Sequence, residues 1–151
     1  MSFDMAFAVV LILLIFTMLV GYYNTSSKAA SDTSEVAALS AMADYAAGGL
    51  RALYNSLSGS PGSKADYVLE MKNDTMYGNS ERAHIVDYTA NIGSTLEFSS
   101  ESDDGADFTV SRVLGFAFNC GLTGLSPGDK VVLKGCEASS GSLSCTCSRS
   151  T

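Results

Sequence analysis

The residues of this chain with the clearest chemistry are its four cysteines, Cys120, Cys136, Cys145 and Cys147. An even number of cysteines in a small domain rich in serine and glycine is typical of disulfides formed in an oxidising compartment. Cys145 and Cys147 are separated by one residue, so we do not expect them to pair with each other. Two connectivities remain, and each joins Cys120 and Cys136 to the C-terminal pair.

The same thiolates could instead bind zinc. Structural zinc sites usually use Cys-x2-Cys pairs or nearby histidines, whereas this chain has a Cys-x-Cys pair with no histidine close to it. The spacing therefore favours disulfides, and we predict no metal and no cofactor.

A group of acidic residues offers oxygen ligands of the kind that calcium prefers. Its members are Glu101, Asp103, Asp104 and Asp107. Clustered acids in a hairpin turn are usually solvated, so we predict a turn here and not a calcium site.

Catalytic patterns are missing from the sequence. His84 is the only histidine, and its position in a strand-like stretch is typical of an ordinary surface or half-buried side chain. The chain has no nucleophile elbow, phosphate-binding glycine loop or His-Glu-x-x-His segment. We therefore predict no catalytic residue and no enzyme activity. The net charge of −7 argues against a nucleic-acid partner, because phosphate binding needs basic patches.

Two sequons are candidate glycosylation sites. Asn73 begins Asn-Asp-Thr just after a predicted strand, and Asn24 begins Asn-Thr-Ser on a predicted helix.

The element that dominates the chain is the uncharged apolar run Met5–Tyr23. As a helix it would reach about 28 Å, close to the thickness of a bilayer's hydrocarbon core. Three interpretations compete: a cleaved signal, a permanent anchor, and a helix that lies in the membrane before it enters a protein assembly. No basic residue precedes the run and no small-residue cleavage site follows it, which disfavours a signal peptide. An anchor would normally carry orienting basic residues on its cytoplasmic flank, and the first basic residue, Lys28, follows the run.

Beyond Lys28 the sequence turns polar but keeps apolar residues at steps of three and four, which indicates one buried face of a helix. These residues are Val36, Leu39, Ala43, Ala46, Ala47, Leu50, Leu53, Tyr54 and Leu57. We predict one helix over Ser2–Leu57, apolar in its first half and amphipathic in its second. Its weak points are Asn24-Thr25-Ser26-Ser27 and Gly48-Gly49.

After residue 57 the apolar period changes from that of a helix to that of a strand. We predict a linker over residues 58–65 and a β-rich head over 66–151, so that the fold class is α+β with a small antiparallel head of five or six strands. The strand signals are Tyr67 to Met71, Ala83 to Thr89, Leu96 to Phe98, the even positions from Phe108 to Phe118, and Val131 to Leu133. Asp104-Gly105 is a favourable turn pair between two of them.

The N-terminal third resembles a type IV pilin, and the segment 1–7 is most similar to archaeal pilins, whose mature chains often begin Gln-x-Ser-x-Glu before the apolar run. Ser2 matches the serine of that motif and Asp4 its acid, while the leading Gln has no counterpart here.

The resemblance implies a structural subunit, the major pilin of an extracellular filament at the cell surface used for adhesion. It also implies a homopolymer, insertion in the cytoplasmic membrane before assembly, and dependence on a prepilin peptidase and pilus assembly machinery. The alternatives are an archaellin-type motility subunit and a monomeric membrane-anchored binding domain. We expect the assembly core to consist of apolar helix residues: Phe7, Val10, Leu11, Leu14, Ile15 and Met18.

Overall fold

A computed structural model describes residues 3–72, 87–101 and 107–151 of the chain. Its element order is one helix followed by eight strands within these ranges. Their bounds are α1 Phe3–Ser58, β1 Ala65–Glu70, β2 Thr89–Ile92, β3 Thr95–Glu101, β4 Asp107–Val113, β5 Ala117–Phe118, β6 Leu122–Leu125, β7 Lys130–Ser139 and β8 Ser142–Ser150. A long N-terminal helix followed by strands that pair mostly antiparallel is an α+β arrangement, as the sequence predicts.

The helix α1 continues through both predicted weak points, residues 24–27 and Gly48-Gly49. Gly49 has a packing role, because a Cβ at this position would overlap the Tyr67 hydroxyl and lie 3.2 Å from the Tyr67 Cζ. The helix α1 ends at Ser58, one residue beyond the predicted end at Leu57. The chain turns away there, with the Gly59 N–H donating to the Asn55 carbonyl at 3.3 Å.

The chain forms two compact units, Met1–Ser34 and Glu35–Thr151. The domain boundary predicted at residues 57 and 58 instead follows the change from helix to strand. The second half of α1 belongs to the globular unit because its apolar face is buried there. Nine of its residues are buried: Ala38, Leu39, Met42, Ala43, Ala46, Ala47, Leu50, Leu53 and Leu57.

The strands of the globular unit form two four-stranded sheets. The first has the order β1-β7-β8-β5 and the second the order β4-β3-β2-β6. Among the described strands, all pairings are antiparallel except that of β5 with β8, which is parallel and joins Ala117 to Ser142 and Phe118 to Leu143. The head is therefore mainly antiparallel, as the sequence predicts, with this one parallel pair in addition. A two-residue strand gives too little periodic signal to reveal its direction.

The predicted hairpin between β3 and β4 is present, with Thr95 opposite Val113 and Glu101 opposite Asp107. The predicted turn pair Asp104-Gly105 lies outside the described residues. The same is true of most of the strand predicted over Ala83 to Thr89, of which β2 contains only Thr89.

The core of the globular unit lies where the apolar face of α1 meets inward-facing strand residues. Its largest fully buried side chains are Phe98, Leu39, Leu50, Leu69, Leu96, Leu125, Leu133, Leu143, Val131 and Cys136. At the C-terminal end of α1, the Tyr54 ring stacks on the Phe116 ring at a centroid distance of 4.3 Å. The Tyr54 hydroxyl also accepts a hydrogen bond from the Gly141 N–H at 3.2 Å, so this end of the helix is fixed to the turn between β7 and β8.

Candidate functional site

An extended apolar surface is exposed on α1 from Val9 to Val20, and we call it the apolar helix surface. Every valine, leucine, isoleucine, phenylalanine and methionine in this range is between 43% and 69% exposed. The segment Val9–Ala29 is long and apolar enough to cross a membrane, and none of it is buried by the rest of the chain. Exposed apolar patches of this extent mark a surface that contacts lipid or another protein.

The two threonine hydroxyls of this segment are bonded within the helix. The Thr17 hydroxyl donates to the Leu14 carbonyl at 2.9 Å, and the Thr25 hydroxyl donates to the Gly21 carbonyl at 2.9 Å. A serine or threonine that bonds back to the preceding turn needs no external partner. The apolar helix surface can therefore be surrounded by hydrocarbon without leaving a polar side chain unpaired.

The predicted assembly residues lie on this surface. Val10, Leu11, Leu14, Ile15 and Met18 are all exposed, while the Phe7 side chain is outside the described residues. Their neighbours are exposed to a similar extent, so the surface is apolar on all sides of the helix and not along one stripe. Their part in assembly stays a prediction.

A surface that is apolar all round the helix limits the kinds of partner that would cover it. A single groove on one protein covers one face of a helix and leaves the others in water. A lipid bilayer or a ring of neighbouring helices covers every face. The apolar helix surface therefore fits a bilayer, a multi-helix core, or one followed by the other.

The four cysteines form two disulfides in the globular unit, as predicted. Cys120 is bonded to Cys147 and Cys136 to Cys145, which is one of the two connectivities that the sequence leaves open. The Cα atoms are 6.0 Å apart in the first pair and 4.1 Å in the second. Both disulfides reach β8, so the last strand is covalently tied to β7 and to the segment between β5 and β6.

Non-covalent contacts hold the same strand. The Asn119 amide accepts from the Cys145 N–H at 2.8 Å and donates to the Cys145 carbonyl at 3.1 Å, which continues the pairing that β5 begins. Near the C-terminus, an Arg149 guanidinium nitrogen lies 2.6 Å from a carboxylate oxygen of Asp129. A hydrogen bond from the Ser126 N–H, together with this guanidinium, holds the pKa of Asp129 below its ordinary value.

The connectivity predicts a difference between two double variants. Removing a bonded pair, Cys120→Ser with Cys147→Ser, should leave the second disulfide closed and no free thiol. Removing one cysteine from each pair, Cys120→Ser with Cys145→Ser, should leave two cysteines that are not partners and react with a thiol reagent under native conditions. Mass spectrometry of the unreduced wild-type chain should show four hydrogens fewer than the reduced chain, two for each disulfide.

Equal thiol reactivity in the two double variants would contradict this connectivity. Four reactive thiols in the natively isolated wild-type chain would contradict the disulfides themselves and remove the argument for an oxidising compartment.

Arg112 is the one polar residue among the apolar even positions from 108 to 118, and its contacts explain why. Its Nε lies 2.6 Å from Asp44 Oδ1, and its Nη2 donates to the Ser40 hydroxyl at 2.6 Å. Asp44 and Ser40 are on α1, so this inward position of β4 meets the polar margin of the helix and not its apolar face. Nearby, Arg51 Nη2 donates to the Val113 carbonyl at 2.5 Å. These contacts fasten α1 to the edge strand of the second sheet.

The Arg112 guanidinium lowers the pKa of Asp44, chiefly through their hydrogen bond. A carboxyl whose pKa is lowered by folding stabilises the folded state above its ordinary pKa, and this contribution is lost as the pH falls through the folded value. Because Asp44 is 60% exposed, the pair contributes no more than about 1 kcal/mol.

Asp44→Asn should therefore lower the free energy of unfolding by up to about 1 kcal/mol at pH 7, and the difference from wild type should shrink below about pH 4. Urea unfolding at pH 7 and pH 3 measures both values. A matched control is Asp66→Asn, because Asp66 accepts a hydrogen bond from the Gly135 N–H and has no arginine bonded to it in the described structure. A pH-independent difference for Asp44→Asn would show that its ion pair contributes nothing.

Of the remaining predicted residues, those that the structure describes are not gathered into a site. Asn24 lies on the exposed surface of α1, and Asp107 begins β4. Asn73, His84, Asp103 and Asp104 lie outside the described residues. In the ranges that are described, no three His, Cys, Asp or Glu residues come together in a way that could hold a metal ion.

The structure therefore offers a surface for association and a covalently closed globular unit as its candidate functional features. The likeness to type IV pilins rests on Ser2, Asp4 and the helix that follows them. No family model, no curated protein and no solved structure matches this chain.

Proposed function

We propose that the chain is a structural subunit, the major pilin, of an extracellular type IV pilus-like filament that polymerises through its N-terminal helix. The observation that carries the proposal is the apolar helix surface, whose large side chains are all exposed. In water each of its large side chains would leave about 1.5–3 kcal/mol of burial free energy unrealised. The segment therefore needs an apolar environment throughout the life of the protein.

In the first stage the lipid bilayer supplies that environment. A helix satisfies every backbone polar group within itself, and the Thr17 hydroxyl does the same for its side chain. Lys28 lies near the C-terminal end of the segment Val9–Ala29. The globular unit that follows lies outside the bilayer.

In the second stage neighbouring copies of the helix replace the lipid. Lipid tails are as apolar as leucine, so the exchange gains little from the hydrophobic effect and depends on tighter van der Waals packing. Repeated contacts between different surfaces of identical subunits produce an open helical polymer and not a closed ring. The resemblance to pilins implies that a prepilin peptidase processes the chain and that pilus assembly machinery drives this step.

The globular units form the outer wall in this proposal. Two disulfides suit a domain that works in an oxidising, extracellular environment. The acidic, hydroxyl-rich sequence of this unit suits a solvated outer surface, and adhesion to other surfaces is the role we assign to it.

A monomeric anchored domain is the competing proposal, and the length of the apolar segment favours it equally. The test is to shear cells that produce the protein and to sediment the released material. The filament proposal expects the chain in a high-speed pellet, as filaments visible by electron microscopy and labelled by an antibody to residues 107–151. Chain found only in the membrane fraction, and released by detergent as a monomer, would reject the filament.

A further inference from the structure

The two residues that end the apolar run are both tyrosines. Tyr22 is 75% exposed and Tyr23 is 73% exposed, more than any other large hydrophobic side chain that the structure describes. A tyrosine side chain has an apolar ring and a polar hydroxyl, so it is best accommodated where an apolar layer borders water.

The polarity of α1 changes at this point within about one helical turn. On the N-terminal side, the residues from Val9 to Val20 carry no charge, and their only hydroxyl, that of Thr17, is bonded within the helix. On the C-terminal side follow Asn24, Thr25, Ser26, Ser27 and Lys28. Tyrosine and tryptophan are enriched at this position in membrane-spanning helices, level with the lipid headgroups.

The directions of the two side chains indicate which partner covers them. Consecutive residues of a helix with 3.6 residues per turn point about 100° apart, so Tyr22 and Tyr23 leave the helix on different faces. A groove on a neighbouring protein would cover one of them. The headgroup layer of a bilayer surrounds the helix and covers both.

We propose that Tyr22 and Tyr23 lie in the headgroup layer of the membrane before assembly and set the depth of α1 in the bilayer. The proposal rests on the membrane stage of the proposed function. With a rise of 1.5 Å per residue, Leu13 would lie about 15 Å deeper than Tyr23, near the centre of the hydrocarbon core. Val20 would lie about 5 Å deeper than Tyr23, just inside the hydrocarbon.

The chain has no tryptophan, so a single substitution introduces a unique fluorescent probe of depth. The variants Tyr22→Trp, Tyr23→Trp and Leu13→Trp are each reconstituted as full-length chain in phosphatidylcholine vesicles. The vesicle lipids carry bromine, a fluorescence quencher, either near the headgroup or near the end of the acyl chains. We expect the shallow bromine to quench Tyr22→Trp and Tyr23→Trp more strongly, and the deep bromine to quench Leu13→Trp more strongly.

Two results would overturn the proposal in distinguishable ways. In the first, the deep bromine quenches Leu13→Trp strongly, but one of the tyrosine positions is unquenched or is also quenched most by the deep bromine. This result would reject the headgroup location alone. Absence of quenching at Leu13→Trp by either lipid would reject the membrane stage as well. Filament formation is measured separately by electron microscopy, so failure of the filament proposal leaves the depth measurement valid.

A second set of variants tests whether the tyrosines set the depth. In the Val20→Trp chain, Tyr22→Leu with Tyr23→Leu lengthens the apolar run and removes both hydroxyls. We expect the quenching of Val20→Trp to shift from the shallow to the deep bromine. Tyr45→Leu is the control, because Tyr45 is an exposed tyrosine of the globular unit, and it should cause no shift. An unchanged depth in the double leucine variant would show that the tyrosines do not position the helix.

Discussion

Leu14→Lys should abolish filaments while the globular unit stays folded. Leu14 lies in the middle of the apolar helix surface and is 53% exposed to its surroundings. A lysine at the centre of a membrane-spanning helix costs about 2.5–3.5 kcal/mol on insertion. In a packed filament core an unpaired charge costs several kcal/mol, and the symmetry of the polymer repeats that cost in every subunit.

Two controls make this result specific. Leu14→Met keeps the volume and polarity, should cost less than about 1.5 kcal/mol, and should leave filaments intact. Val113→Lys places the same charge on an exposed apolar residue of the globular unit and should also leave filaments intact. Electron microscopy of the cell surface, with sedimentation of sheared material, compares the variants. Normal filaments from Leu14→Lys, together with their loss in Val113→Lys, would place the assembly interface in the globular unit.

Two truncations should have opposite effects on folding. Deleting residues 1–27 removes the apolar helix surface but keeps the buried part of α1, so it should yield a soluble, monomeric, folded unit. Deleting residues 1–57 also removes Leu39 and Leu50, which are fully buried. Loss of one buried leucine side chain costs about 2–5 kcal/mol, and the whole stability of a domain is only about 5–15 kcal/mol. The shorter chain should therefore fail to fold, even with its cysteines present.

Near-ultraviolet circular dichroism and urea unfolding measure folding in both truncated chains, and analytical ultracentrifugation measures their size. Cooperative unfolding of the chain without residues 1–57 would show that α1 is not part of the core. Large polymers of the chain without residues 1–27 would show that the apolar helix surface does not drive assembly.

Much of this fold can be predicted from periodicity. The helix can be predicted because its apolar residues recur at steps of three and four and no proline interrupts it before Pro61. The hairpin of β3 and β4 can be predicted because Phe108 and Val110 alternate with polar residues.

Other features depend on contacts between distant parts of the chain, which periodicity does not encode. β8 carries Leu143, Cys145 and Cys147 on alternate positions and has no other apolar residue, so its sequence does not predict a strand. The choice between the two disulfide connectivities depends on how β8 lies beside β7 and β5. The boundary between the two compact units, at Ser34 and Glu35, depends on which helix residues pack against the strands.

The candidate site also has one part that the sequence predicts and another that it does not. The apolar run predicts a surface that avoids water, because twelve consecutive positions from Val9 to Val20 contain a single hydroxyl and no charge. The sequence of a single chain does not show which apolar partner covers this surface, because that depends on the assembly. Arg112 illustrates the limit on a smaller scale, since its position breaks the apolar pattern and only the folded unit reveals Asp44 and Ser40 as the reason.

The most direct test of the proposed function is a helical reconstruction by cryo-electron microscopy of the sheared surface material. We predict a filament whose centre is a bundle of α1 segments, with Val9 to Val20 buried between neighbouring copies and the disulfide-closed units on the outside. A filament in which the globular units form the continuous core, with Val9 to Val20 unpaired, would contradict the account. So would preparations in which the chain is found only as a detergent-solubilised monomer.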